Sequence, residues 1–150
     1  MYTILLRLAN VLLIGVLNGA FVFTADLVRY LNFDCEVDFI RVSSYKGTQS
    51  IGSIELNLHL KYEVKGRDVI LIDDILDTGL TLHELRKYFL NLQCASVEVC
   101  VFCRKPTCVK HDIDAKYVGL DLPSPEFIVG YGLDYNEKGR NLPSIYKKCG

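Results

Sequence analysis

At 150 residues with 50% hydrophobic, 11% aromatic and 23% charged side chains, the chain has the composition of one folded domain, which excludes disorder and low complexity. Seventeen Lys plus Arg against eighteen Asp plus Glu leave a formal charge of −1, which removes the electrostatic case for a nucleic-acid or anionic-membrane partner. The mean hydropathy of +0.20 is high, so an apolar excess has to be placed.

The first place is near the N-terminus. From Leu8 to Ala25 run 18 residues without a charge, the length at which a membrane helix or a secretory signal competes with a buried core element. Val11–Leu17 is a short continuous apolar run, the pattern of a strand covered on both faces. Asn18-Gly19 marks a turn, and Phe21, Ala25, Val28 and Leu31 then recur at helical spacing. A membrane span would bury Asn10 and Asn18 in lipid, so strand, turn and helix is the favoured reading.

A second strand is predicted over Glu36–Val42. The polar, glycine-containing stretch from Ser43 to Ser53 reads as a mobile loop leading into a hairpin through Glu55–Tyr62. Val69–Ile72 is the third strand. Leu82, Leu85, Phe89 and Leu92 mark one face of a helix. Ser96–Phe102 and Lys116–Leu120 complete the strands, and the alternation implies a parallel α/β sheet. The tail from Leu122 to Gly150 holds three of the four prolines. It reads as a cap over the sheet edge, because Phe127, Ile128, Val129, Tyr131 and Tyr135 call for burial. Cys100 and Cys103 form a CxxC with Cys108 and His111 nearby, but no second pair completes four zinc ligands. Reduced thiols, and with them a cytoplasmic location, are the better reading of the six cysteines.

The chemistry concentrates in Val69–Leu82. A buried strand ends in Asp73 and Asp74; Asp77, Thr78, Gly79, Leu80 and Thr81 then lead into a helix. Backbone N–H groups, hydroxyls and the positive end of a helix dipole are the parts of a phosphate cradle. Acids beside such a cradle would repel an anion unless they serve another part of the ligand, such as sugar hydroxyls or a hydrated magnesium ion. A phosphorylated sugar is therefore the natural ligand. The plainer alternative makes Asp73 and Asp74 solvated strand-end acids, Asp77 a helix cap and Gly79 a turn residue. Three acids, two threonines and a glycine within nine residues weigh against it.

This segment resembles the ribose-phosphate signature of type I phosphoribosyltransferases, which use 5-phosphoribosyl-1-pyrophosphate (PRPP). Four further segments resemble the hypoxanthine-guanine branch of that family: Val16–Phe21, Ser43–Ser50, Arg104–Pro106, and Phe127–Tyr135 running on to Arg140–Pro143. They occur in the family's order between about Val11 and Pro143. The resemblance implies a central parallel sheet flanked by helices, one domain over 1–150 with its core at about 11–121. A lid loop would span 43–62 and a small hood 122–150.

It further implies that Asp73 and Asp74 hold the ribose hydroxyls and that the loop from Asp77 through Thr78, Gly79 and Leu80 to Thr81 binds the 5-phosphate. Asp77 would be the general base for the purine N7 proton. Leu17, Asn18, Gly19 and Arg140 would meet pyrophosphate, and Ser44 and Tyr45 would belong to the lid. Lys105 would donate to the purine 6-oxo group, Phe127 would stack on the base, and Ile128 would meet its edge. Asp134, with Asp73 and Asp74, would hold Mg²⁺. The implied reaction is purine salvage: phosphoribosyl transfer from PRPP to N9 of hypoxanthine or guanine, giving IMP or GMP and pyrophosphate. The enzyme would be a homodimer or homotetramer with neither nucleic-acid nor membrane partners. A xanthine-preferring transferase and a non-catalytic PRPP sensor of the same fold are the alternatives. Three positions depart from the pattern. Asn18 stands where some members have Lys, Arg104 where many bacterial members have an acid, and 1–10 do not match the unit usually found ahead of Val11, which reads either as a shortened chain or as a mis-assigned start.

Overall fold

A computed structural model describes residues 10–42, 59–123 and 125–148. Strand β1 (Val11–Leu17) leads through a turn to helix α1 (Phe21–Arg29) and strand β2 (Glu36–Arg41). Strand β3 (Asp68–Leu76), helix α2 (Leu80–Asn91), strand β4 (Ser96–Arg104) and strand β5 (Tyr117–Asp121) follow. The five strands form one parallel sheet in the order β2-β1-β3-β4-β5. The expected strand–turn–helix at the N-terminus is therefore what forms. Among the described residues no helix is long and apolar enough to cross a membrane.

Both faces of the sheet are covered, which is why its strands read as continuous apolar runs. Leu12, Ile14, Val16, Val69, Leu71, Val97, Val99 and Val101 face one cluster with Leu82, Leu85 and Phe89 of α2. Val11, Leu13, Ile70, Ile72 and Cys100 face the other, beneath Phe23, Leu27 and Val28 of α1. Alternation along each strand thus sorts its side chains between two helices. Burial holds the thiols of Cys100 and Cys103 up at about 12, well above the ordinary thiol value, so both are protonated core side chains.

The element bounds differ from expectation where polar residues interrupt apolar runs. Strand β3 does not stop at Ile72 but carries Asp73 and Asp74 within it, because Ile75 and Leu76 still pair with Cys103 and Arg104 of β4. Helix α2 starts at Leu80, so Thr81 lies in its first turn. The expected hairpin over Glu55–Tyr62 falls largely outside the described residues, and 59–62 carry no strand. Lys61 is instead tied to β2 by its backbone N–H on Asp38 Oδ2, at 2.8 Å.

The C-terminal segment crosses back over the carboxyl end of β3 and β4. Strand β6 (Ile128–Val129) pairs antiparallel with strand β7 (Tyr146–Lys147). Ile128 and Leu133 are buried with Cys103, Ile75 and Phe102. The expectation that its whole aromatic set is buried is corrected at two positions. Phe127 is 49% exposed and Tyr135 43% exposed, held edge to face at 5.7 Å, with the Lys148 ammonium 4.0 Å from the Tyr135 ring centre.

Candidate active site

The chain passes from β1 outward to β2, then returns to the other side of β1 as β3. Where strand order reverses, the loops leaving neighbouring carboxyl ends part in opposite directions and open a crevice, the usual ligand position in open α/β sheets. Here that crevice is a cleft of about 320 Å³ lined by Val16, Leu17, Val42 and the run from Asp73 to Leu82.

On the β1 side, a cis peptide joins Leu17 and Asn18, and the Phe21 N–H closes the turn on the Asn18 carbonyl at 3.2 Å. Position 19 must be glycine: a Cβ there would stand 1.8 Å from Asp74 Oδ2. Asn18 Oδ1 accepts a hydrogen bond from Arg41 Nη2 at 3.1 Å. Parallel register brings them together, since Arg41 pairs with Leu17. A guanidinium therefore reaches the loop from the neighbouring strand, where position 18 itself has no charge.

On the β3 side the two acids stand side by side, the Asp74 N–H donating to Asp73 Oδ1 at 2.9 Å. Burial, and then the adjacent Asp74 charge, push the Asp73 carboxyl well above the ordinary carboxylate range. Burial also raises Asp74, offset in part by hydrogen bonds and by the charge of Arg140. Among the described residues neither carboxylate has an ion-pair partner within 4.0 Å.

The loop beyond them turns at Gly79, whose φ of +86° is left-handed. Helix α2 begins there without a side-chain cap, so Asp77 does not cap it, and no acid lies in its first turn. The first intrahelical donor is the His83 N–H on Gly79 O, which leaves the N–H groups of Leu80, Thr81 and Leu82 facing the cleft end without helical acceptors. The loop is held from behind, because Thr78 O accepts from the N–H groups of Lys110 (2.9 Å) and His111 (3.3 Å). The arrangement offers donors and a positive dipole end to a phosphate, and carboxylates to hydroxyls or a cation.

The remaining expected residues surround the cleft without lining it. Lys105 is buried, anchored by its N–H on Leu76 O, and its Nζ meets Asp77 Oδ2 at 3.3 Å. Arg140 Nη2 lies 2.9 Å from Asp134 Oδ1, while Nη1 donates to Gly132 O at 3.0 Å. Asp134 Oδ2 accepts from the Glu137 N–H at 2.8 Å. Phe127 is half exposed, next to buried Ile128. Arg104, the departure beside Lys105, is engaged elsewhere, with Asp121 at 2.8 Å and Asp114 at 3.1 Å. Ser44 and Tyr45 lie outside the described residues, as does most of the 43–62 loop. Arg41, the Lys110–His111 buttress and the contacts of Tyr131 were not found from sequence. Each depends on register or on long-range packing that no local pattern encodes.

A family model for the phosphoribosyl transferase domain matches residues 4–136. The hypoxanthine-guanine phosphoribosyltransferase of Aquifex aeolicus is 45% identical over 137 residues, covering 91% of this chain and 76% of that protein. That of Streptococcus agalactiae serotype V is 47% identical over the same shares. Among solved structures, a hypoxanthine-guanine phosphoribosyltransferase from Bacillus anthracis superposes with a TM-score of 0.85 at 42% identity, over 93% of this chain and 82% of that one. A Trypanosoma cruzi hypoxanthine phosphoribosyltransferase variant in a ternary substrates complex reaches 0.86 at 36% identity, over 94% and 77%.

Proposed function

The chain belongs to the phosphoribosyltransferase family, and we propose that it is a purine salvage enzyme moving the 5-phosphoribosyl group of PRPP to N9 of hypoxanthine or guanine. The observation that carries this reading is the cleft at the β1–β3 reversal, where paired acids adjoin an uncapped helix N-terminus. That pairing suits a ligand with hydroxyls at one end and a phosphate at the other.

In this reading the 5-phosphate sits on the Asp77–Thr81 loop, within reach of the free N–H groups of α2. Asp73 and Asp74 accept from the ribose hydroxyls. The pyrophosphate lies toward Leu17–Gly19, with Arg41 and Arg140 as the cations that meet its oxygens as it leaves. Phe127 stacks on the purine, and Ile128 meets its edge. Lys105 donates to the 6-oxo group; a 6-amino group would place a donor against a donor, which selects hypoxanthine and guanine over adenine. Asp77 takes the N7 proton as N9 attacks, a contribution of about 10²–10⁴ in rate. The lid of Ser44 and Tyr45 would exclude water from the oxocarbenium-like ribose.

The family implies magnesium, and the donors suit it. Among the described residues no three His, Cys, Asp or Glu side chains form a ready cage. Magnesium needs none, since one or two carboxylates plus substrate phosphates are its common setting. Asp73 and Asp74, adjacent and without an ion-pair partner among the described residues, are the hard oxygen donors that fit, and Asp134 would share itself with Arg140. When bound, the ion neutralises negative charge on the pyrophosphate group. The five described cysteines are all free, which supports a reducing cytoplasm.

The test is direct. Purified protein with PRPP and Mg²⁺ is offered hypoxanthine, guanine, xanthine and uracil in competition, with nucleotide and pyrophosphate measured. IMP and GMP should dominate. Preference for xanthine or uracil would reassign the substrate, and no transfer to any base would overturn the enzyme reading.

A further inference from the structure

The C-terminal segment makes one contact with α1 that the chemistry above does not use. Gly130, Tyr131 and Gly132 all have positive φ, at 103°, 53° and 100°. Two of them are glycines; Tyr131 is not, and a left-handed tyrosine is held only where its surroundings determine it. Its N–H bonds to Leu142 O at 2.8 Å, and its ring lies 4.8 Å from that of Phe102, which in turn lies 5.5 Å from Phe23 of α1. The hydroxyl donates to Asp26 Oδ2 at 2.8 Å. Phe23 and Asp26 stand three residues apart on α1, so one helix face grips both the ring stack and the hydroxyl.

The next residue is where this grip matters. A Cβ on Gly132 would come within 2.3 Å of Gly19 O, so the two backbones meet directly. Gly132 O also accepts from Arg140, whose other nitrogen holds Asp134. The apex at 131–132 therefore joins the Asp134–Arg140 pair to the loop leaving β1, and Tyr131 fixes that apex to the helix that follows the same loop.

We propose that Tyr131 is a positioning residue, its hydroxyl on Asp26 setting the spacing between the Asp134–Arg140 pair and the Leu17–Gly19 loop, and so the fit of the pyrophosphate half of PRPP. The inference rests on the phosphoribosyltransferase reading. It assigns the contact to one end of the substrate only, because Lys105 and Phe127 are anchored separately, on Leu76 and on Lys148.

The test is Tyr131→Phe, which keeps the ring stack and removes the hydroxyl. Expected is a rise of about tenfold in the KM for PRPP, and a matching weakening of Mg²⁺-PRPP binding by calorimetry, with kcat and the KM for hypoxanthine nearly unchanged. Asp26→Asn, which keeps an acceptor oxygen, should stay near wild type. Asp26→Ala should match Tyr131→Phe, and the double variant should be no worse than either. An unchanged affinity for PRPP, equal shifts for PRPP and purine, or multiplicative losses in the double variant would overturn the proposal. Thermal midpoints of all variants confirm that the comparison is among folded proteins. A wild-type protein that transfers nothing would instead sink the enzymatic reading, which keeps the two failures apart.

Discussion

Asp77 is ion-paired with Lys105 and is also the proposed base, and a double-mutant cycle separates the two roles. The Lys105 side chain is only 7% exposed and its ammonium meets Asp77 Oδ2 at 3.3 Å. Two unit charges at that distance attract by about 5 kcal/mol at an effective dielectric of 20. The Asp77 side chain is 47% exposed, so solvent screens much of this. Asp77→Asn should therefore cost about 1–2 kcal/mol, below the 3–5 kcal/mol typical of breaking a fully buried pair. In a Lys105→Met background, where no ammonium needs a counter-charge, the same change should cost under about 0.5 kcal/mol. Urea unfolding measures both. The chain has nine tyrosines and no tryptophan, so tyrosine emission or circular dichroism is the probe. Midpoints should move at constant m. Equal destabilisation in the two backgrounds would show that Asp77 does not stabilise through Lys105. Turnover tests the second role: Asp77→Asn should lower kcat by about 10²–10⁴ while Mg²⁺-PRPP still binds. A variant that loses stability but keeps its turnover would remove Asp77 as the base.

Arg41→Ala should weaken pyrophosphate and PRPP several-fold and leave the purine KM alone, read by product inhibition; no change would leave the Asn18 loop without its proposed cation. Phe127→Ala should raise the KM for hypoxanthine about 5- to 160-fold, since base–aromatic stacking is worth about 1–3 kcal/mol. Because the ring is half exposed, unfolding stability should fall by less than about 1 kcal/mol; a larger stability loss than binding loss would make Phe127 a packing residue. Cys100 and Cys103 are held at about 12 by burial, above the ordinary thiol value of 9.0, so both stay protonated at pH 8. Iodoacetamide should spare them in the folded protein and label them in guanidinium, with mass spectrometry reading the sites. Rapid labelling of either in the native state would refute the burial argument.

Much of the sheet was legible because parallel strands covered on both faces announce themselves as unbroken apolar runs; Val11–Leu17 forms over the residues expected. The same signal misled at β3. A hydrophobic scan stops at Asp73, yet the ladder to β4 continues through Leu76 because backbone pairing is indifferent to side-chain charge. Phe127 and Tyr135 failed in the opposite sense: aromatic character argues for burial, yet both rings stay half exposed, which for Phe127 suits the stacking role proposed above. The acids and the glycine-threonine loop were legible because they are adjacent in sequence. What was not legible joins distant segments. Arg41 reaches Asn18 through register, Lys105 meets Asp77 across 28 positions, and Tyr131 meets Asp26 across 105.

Those distant contacts share a pattern that gives the near-zero net charge a local meaning. Each cation assigned to the substrate already rests on an oxygen of the protein: Arg41 on Asn18, Lys105 on Asp77, Arg140 on Asp134. Binding therefore exchanges one partner for another, and the net gain is the difference between two charge-assisted contacts, not the whole of either. The exception is Asp73 and Asp74, which sit side by side with their acidity weakened by burial. There a hydroxyl-bearing or metal-bridged ligand adds a partner without displacing one. In the proposed function the paired cations would confer selectivity for the ligand's oxygens, while Asp73 and Asp74, which have no ion pair among the described residues, would gain a partner. In the proposed site free phosphate would engage the α2 N-terminus and the arginines but offer nothing to buried Asp73 and half-buried Asp74, so it should bind more weakly than a ligand that also carries hydroxyls.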